Sequence, residues 1–116
     1  MVRLMRFIVR EYLTGDGVSP YRAWLETLDV SARARVQARV LRFETGNLGD
    51  HRSVGAGTWE ARLSFGPGYR IYFGRPTRSA VLLLLGGNKR SQSKDIQWAR
   101  RYWAEYVEVT RHGKTE

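Results

Sequence analysis

The 116-residue sequence contains no cysteine, only two histidines and no long apolar run. The absence of cysteine excludes disulfide bonds, thiolate metal sites and a thiol nucleophile. The amino-terminal residues are not continuously apolar, and the run Leu82–Leu85 is far too short to cross a bilayer. We therefore expect a cytoplasmic protein of one domain, with a core large enough to fold without disulfide bonds.

Acidic residues are also scarce. They number 11 against 20 lysines and arginines, which gives a net charge of +9 and an isoelectric point near 10.6. Such a balance favours polyanionic partners: nucleic acid, an acidic membrane surface or an acidic protein. Residues 59–103 hold nine of the basic residues and only two acidic ones. Their concentration on a predicted sheet face and the adjacent loop favours polyanion binding over an ordinary solvated basic surface.

The most informative segment is Trp59–Phe73, which reads as two alternating strands joined by a Gly-Pro-Gly turn. Pairing Phe65 with Tyr69 around the turn keeps the apolar residues of both strands on one face. The opposite side is then predicted to face solvent and to carry Glu60, Arg62, Ser64, Arg70 and Tyr72. Two arginines, a carboxylate and a phenol on one rigid surface are suited to phosphate binding.

Hydrophobic periodicity and cap residues predict the element order β-α-α-β-β-β-α. Outside the hairpin, the predicted elements are a strand over Val2–Val9, a helix from Ser19-Pro20, a helix from Asp29 or Ser31 to about Glu44, a strand over Ala80–Leu85 and a helix from near Asp95. Residues 47–57 are glycine-rich and predicted to be irregular, and the arginines of the second helix (Arg35, Arg39 and Arg42) are interpreted as a solvated face. With the helices grouped on one side of an antiparallel sheet, this order defines an α+β domain over residues 1–109 and a polar tail over 110–116.

A series of short motifs spans nearly the whole chain: Trp24-Leu25, Gly46–Asp50, Val54–Gly57, Glu60-Ala61-Arg62, Gly66–Arg70, Leu85–Lys89, Gln92 and Asp95-Ile96. Each motif is weak alone, but their joint order and spacing resemble the RelE/ParE superfamily of bacterial toxins. The resemblance is greatest to its phage-derived addiction-module killer branch, which is related to HigB.

This resemblance implies a RelE-like fold and a toxin of a type II toxin–antitoxin pair that cleaves messenger RNA in the ribosomal A site. It also implies neutralisation by a cognate antitoxin, in this branch usually a helix-turn-helix protein. Carried over by motif, the functional basic residues of RelE-type toxins fall on Arg62, Arg70, Lys89 and Arg90. Where those toxins carry a tyrosine near the start of the last helix, this chain has Ile96, and its only late histidine is His112.

RNA cleavage by its own 2′-hydroxyl needs a proton acceptor, stabilisation of the phosphorane and a proton donor for the leaving 5′-oxygen. Arg70, with a share from Arg62, is predicted to stabilise the phosphorane, because guanidinium groups match phosphate oxygens. Glu60 is the candidate general base, and an ion pair that holds either arginine is the equal alternative. Lys89 could protonate the leaving oxygen, although phosphate contact is favoured. No clustered His, Asp and Glu set suggests a metal site, so we expect a metal-independent endoribonuclease without a cofactor.

Four further residues are predicted to contact RNA. Tyr72 could stack on a base or simply pack across the strands, and Gln92 could contact a base edge or cap the last helix. Arg90 and Lys94 belong to the basic loop Gly86–Lys94.

Two other functions stay open from the sequence. One is a ParE-like inhibitor of DNA gyrase without catalysis, and the other is a non-toxic, sequence-independent nucleic-acid binder. The arginines of the predicted solvent-facing side favour RNA modestly. Neither a membrane nor a small-molecule cofactor is expected as a partner.

Overall fold

Within residues 6–114, five strands and three α-helices form an α+β structure. The computed structural model describes the backbone of residues 6–114 and the side chains of residues 6–112. The strands are β1 (Ile8–Glu11), β2 (His51–Gly55), β3 (Thr58–Arg62), β4 (Arg70–Gly74) and β5 (Ala80–Gly87), and the helices are α1 (Pro20–Leu25), α2 (Val30–Phe43) and α3 (Gln92–Lys114). The strands lie in the order β1-β5-β4-β3-β2, with β1 parallel to β5 and every other pair antiparallel. None of the described helices is long and apolar enough to span a membrane.

The observed sheet differs from the predicted sheet in two respects. Residues 47–57, predicted to be irregular, contain the edge strand β2, and the glycines of this segment form its turn into β3. Gly55, Ala56 and Gly57 have φ values of +91°, +54° and +82°, a left-handed path that glycine adopts without strain. The sheet is also mixed rather than antiparallel, because β5 returns alongside β1 in the same direction. The first strand lies at Ile8–Glu11, and the predicted strand residues 2–5 lie outside the described part of the chain.

The cap residues of the first two helices are confirmed. The Ser19 side chain accepts a hydrogen bond from the Arg22 N–H at 3.0 Å, and Pro20 occupies the first helical position. Of the two candidate caps for α2, Asp29 is the one used, accepting from the Ala32 N–H at 2.8 Å. These caps therefore set where α1 and α2 begin, as the sequence predicts, and the two helices together form an αα-hairpin.

The helices cover both faces of the sheet, so their predicted grouping on one side is wrong. The αα-hairpin packs on the face that carries Ala61, Ile71 and Phe73, which confirms the predicted apolar side of the β3–β4 hairpin. Helix α3 packs on the other face, where its Ala99 contacts a cluster that includes Tyr72. Strand β5 is buried on both sides, as predicted for a central strand.

The β3–β4 register differs from the predicted one by two residues. Arg62 pairs with Arg70, and the Leu63 N–H donates to the Tyr69 carbonyl at 2.9 Å, so Phe65 does not pair with Tyr69. A shift of two residues preserves which side chains share a face, and the predicted faces therefore hold.

Helix α3 is longer than predicted at both ends. It begins at Gln92, directly after a single 3₁₀ turn at Lys89–Ser91, rather than near Asp95. It continues through Lys114, so residues 110–114 extend the helix instead of forming a separate tail.

Candidate active site

Glu60 lies in a row of paired residues that crosses three strands, with Arg52 on β2 and Tyr72 on β4 as its neighbours. Arg52 Nε donates to Glu60 Oε1 at 2.9 Å, and the Tyr72 hydroxyl donates to Oε2 at 3.1 Å. The first turn of α3 covers the row, and Gln92 Nε2 donates to the same Oε2 at 2.8 Å. Glu60 and Tyr72 are fully buried, so this part of the predicted solvent-facing side is closed to solvent.

Arg70 connects this buried carboxylate to the protein surface. Its Nε lies 3.4 Å from Glu60 Oε2, and its Nη1 donates to the Gly68 carbonyl at 2.7 Å. Nε is buried and makes no hydrogen bond, and 11% of the side chain is exposed. The guanidinium group is therefore held between Glu60 and the Gly-Pro-Gly turn, and a small part of the side chain remains exposed.

The protonation states at this centre follow from its contacts. Burial acts to raise the pKa of Glu60, but the hydrogen bonds from Arg52, Gln92 and Tyr72 outweigh it, so the pKa of this carboxyl lies below its ordinary value. Burial, and then the negative charge of Glu60, raises the pKa of Tyr72 far above its ordinary value. Glu60 is thus an ionised acceptor with both oxygens occupied, which supports the ion-pair role over the general-base role.

The basic turn before α3 packs against the Gly-Pro-Gly turn. The Asn88 side chain accepts from the backbone N–H groups of Arg90 and Ser91, and the Ser91 hydroxyl accepts from the Asn88 N–H, which together form a capping box. The Lys89 N–H donates to the Pro67 carbonyl at 3.4 Å. This contact places Lys89 beside the turn that holds Arg70, and both Lys89 and Arg90 are exposed.

Arg62 belongs to the rim of the site rather than to its buried centre. It lies opposite Arg70 in the β3–β4 register but is exposed, and its Nη2 lies 3.0 Å from Asp50 Oδ1. The hydrogen bond from Arg62 lowers the pKa of Asp50. Because Arg62 pairs with Asp50, the arginines that pair with Glu60 are Arg52 and Arg70.

The sequence interpretation missed two arginines that support this arrangement. Arg39, assigned to a solvated face of α2, is buried and donates from Nη1 to the Arg62 carbonyl at 2.7 Å and from Nη2 to the Asp50 carbonyl at 2.8 Å. It also bonds the Leu48 carbonyl, so a single guanidinium ties α2 to the segment that carries Asp50 and to the end of β3. Arg52 was missed because its position opposite Glu60 exists only once β2 is recognised as a strand.

The remaining predicted residues lie apart from Glu60. Lys94 is exposed and lines a depression on the outer side of α3. Ile96 packs into the apolar cluster beneath the helix. His112 bonds Glu108 at 2.8 Å and lies 20 residues beyond Gln92, which is about 30 Å along a helix axis. Neither Ile96 nor His112 provides a proton-transfer group beside Arg70.

These observations define the class of the protein as a basic α+β domain in which a buried carboxylate positions an arginine at the start of the central strand of a sheet. No protein-family model matches the chain. The chain is 41% identical to an uncharacterized protein of Haemophilus influenzae over 81 residues, which make up 69% of this chain and 82% of that protein. The chain therefore belongs to the same family as this H. influenzae protein.

Proposed function

We propose that the protein is the toxin of a type II toxin–antitoxin pair, with a RelE-like fold, and that it acts as a metal-independent, ribosome-dependent endoribonuclease on messenger RNA. The observation that supports this best is the buried, ionised Glu60 holding Arg70 at the start of β4, beside the turn that carries the exposed Lys89. A preorganised guanidinium next to further cations is suited to a phosphate that gains charge during reaction.

In the proposed reaction the ribose 2′-oxygen attacks the adjacent phosphorus and loses its proton, and the bond to the 5′-oxygen breaks. The 5′-oxygen gains a proton, so the products are a 2′,3′-cyclic phosphate and a 5′-hydroxyl end. Arg70 is the proposed phosphorane stabiliser, a role worth about 10²–10³ in rate for one preorganised donor. Arg62, Lys89 and Arg90 contact the phosphates on either side.

Glu60 is proposed as a positioning residue for Arg70 rather than as the general base. Its pKa is lowered and its oxygens already accept three hydrogen bonds, so it would have to give up partners to take a proton. Tyr72 is proposed as a structural donor to Glu60, because a fully buried ring offers no surface on which a base could stack. Gln92 likewise serves to bind Glu60.

A cognate antitoxin, of the helix-turn-helix type in this branch, is the proposed protein partner. Acidic residues on the antitoxin would complement Lys89, Arg90 and Arg62, which are exposed around the site. Covering these cations would block access of RNA to Arg70.

The test is a map of new 5′-hydroxyl RNA ends after brief induction, with Arg70→Ala and the exposed Arg42→Ala as matched losses of one positive charge. The proposal expects sharp, frame-locked ends in translated regions for the native protein and Arg42→Ala, and none for Arg70→Ala. Full activity of Arg70→Ala would contradict the proposed active site around Arg70. Growth arrest with broken chromosomes and no new RNA ends would indicate gyrase inhibition, and the absence of growth arrest would indicate a non-catalytic binder.

A further inference from the structure

The outer face of α3 carries an exposed aromatic ring between two cations. Trp98 is 37% exposed and is the one aromatic among the exposed large apolar side chains of the described residues. Lys94 lies one turn before it and Arg101 about one turn after it, both exposed. With Gln97, these residues line a shallow depression of about 320 Å³.

The Trp98 ring is held in place by its neighbours. Its centre lies 5.5 Å from that of Tyr102, which in turn stacks on Tyr12 at 5.0 Å. The Tyr12 hydroxyl donates to Glu105 at 2.7 Å and so fixes the inner end of this row. The guanidinium carbon of Arg101 lies 5.1 Å from the Trp98 ring centre. An exposed ring that is already fixed by packing loses little conformational freedom when a ligand stacks on it.

Among the described residues, neither Lys94 nor Arg101 forms a salt bridge, and Glu105, one turn beyond Arg101, accepts the hydrogen bond from Tyr12. Asp95 is the acidic residue of this part of α3, and its Oδ2 accepts from the Ser91 hydroxyl against Gly87, away from the outer face. Arg100 is directed to the sheet, where its Nε donates to the Val54 carbonyl at 2.9 Å. Lys94 and Arg101 are therefore left to bind an anion beside the ring.

We propose that Lys94, Trp98 and Arg101 form a contact for single-stranded RNA, in which one base stacks on Trp98 and the flanking phosphates bind the two cations. An aromatic platform within a basic surface is the arrangement by which proteins bind single strands without sequence preference. The inference rests on the proposed function for the source of the strand. The exposed Lys89 and Arg90 lie beside the turn that holds Arg70 and precede Lys94 by only a few residues, so basic side chains continue from Arg70 toward this surface.

The experiment measures binding separately from cleavage. A fluorescein-labelled single strand with 2′-O-methyl riboses has no 2′-hydroxyl nucleophile, and fluorescence anisotropy reports its affinity for the full-length protein. Trp98→Ala should weaken binding by about 5- to 150-fold, the value of one base–aromatic stack, whereas Trp98→Phe should stay within about threefold of native. Lys94→Gln should reduce the slope of log affinity against log salt by about 0.7. Val109→Ala, 71% exposed on the same helix, is the control and should bind as native.

Circular dichroism of each variant confirms that it is folded. Native affinity in folded Trp98→Ala, or no binding by the native protein, would overturn the inference. If binding depends on Trp98 but the protein produces no new RNA ends in cells, the RNA contact would be supported and the proposed endoribonuclease activity would be contradicted. If new RNA ends appear but Trp98→Ala binds RNA as the native protein does, the RNA contact would be contradicted and the proposed endoribonuclease activity would be supported.

Discussion

Glu60 Oε2 lies 3.4 Å from Arg70 Nε and also accepts hydrogen bonds from Tyr72 and Gln92. Because Arg52 occupies the other carboxylate oxygen, Glu60 joins β2, β4 and α3 at one buried point. Arg70 extends from that point to the surface, so its position depends on elements that are far apart in the sequence. This relationship predicts that changes at Glu60 affect the proposed RNA cleavage through the placement of Arg70.

Replacement of Glu60 by glutamine tests the positioning role. Glu60→Gln keeps the shape of the side chain but leaves Arg70 and Arg52 without their counter-charge, so the free energy of unfolding should fall by roughly 1–3 kcal/mol. The proposed RNA cleavage should slow, while its pH–rate profile keeps its shape. Rates measured across pH with native and Glu60→Gln protein, together with urea unfolding, check this expectation. Loss of the acidic limb of the profile at unchanged stability would instead identify Glu60 as the general base.

Acid sensitivity of the fold provides a separate test of the buried carboxylate. The pKa of folded Glu60 lies below its ordinary value of 4.5, so its ionised form stabilises the folded state. This contribution is fully present above the unfolded pKa and is lost as pH falls through the folded pKa. The difference in unfolding free energy between native protein and Glu60→Gln should therefore shrink on acidification below about pH 4.5. A difference that is constant with pH would contradict the assigned ionisation.

Alternation along the β3–β4 hairpin was sufficient to predict which side chains share a face. Ala61 and Ile71 lie under the αα-hairpin as expected, whereas Glu60 and Tyr72, expected in solvent, are buried by α3. The period of a strand indicates the partition of side chains between two faces, but covering a face depends on where a distant helix packs. A sheet that is covered on one face and a sheet that is covered on both faces can show the same alternation of polar and apolar residues. Alternation alone therefore does not tell whether the polar side is buried.

The supporting arginines were hidden for a related reason. Arg39 has the spacing of an exposed helix residue, and only the approach of the segment around Asp50 supplies the carbonyl groups that it binds. The strand β2 was hidden because its glycines suggest irregular structure, although they form its turn. Local chemistry predicted the cap Ser19 and restricted the cap of α2 to Asp29 or Ser31, because these contacts depend on residues within one helical turn.

Arg39 is predicted to be a major contributor to stability. Arg39→Ala removes the side-chain donor from the carbonyl oxygens of Leu48 and Arg62 and one of the two donors from that of Asp50, so the free energy of unfolding should fall by roughly 2–5 kcal/mol. The exposed Arg42→Ala on the same helix should change it by less than about 0.5 kcal/mol. Chemical denaturation of both variants checks the prediction. Equal effects of the two substitutions would show that the buried hydrogen bonds contribute little.

Gly87 is predicted to control the placement of α3 over the site. A Cβ at this position would lie 1.8 Å from Asp95 Oδ2, which is also bonded to Ser91. Gly87→Ala should therefore push the first turn of α3 from the sheet, at a cost of about 1–3 kcal/mol, and slow cleavage by separating Gln92 from Glu60. Gly15→Ala, where an added Cβ meets nothing within 4 Å, is the matched control and should be close to neutral.

A double-mutant cycle identifies the contact that is responsible. If Asp95 is the obstacle to a side chain at Gly87, Asp95→Ala should recover part of the stability that Gly87→Ala loses, because it removes the carboxylate from the added methyl group. Thermal unfolding and cleavage rates of the native protein, the two single variants and the double variant supply the four corners of the cycle. Recovery of both stability and cleavage would tie catalysis to the seating of α3 on β5. Strictly additive losses would contradict this, because they would show that Gly87 and Asp95 act on the fold independently.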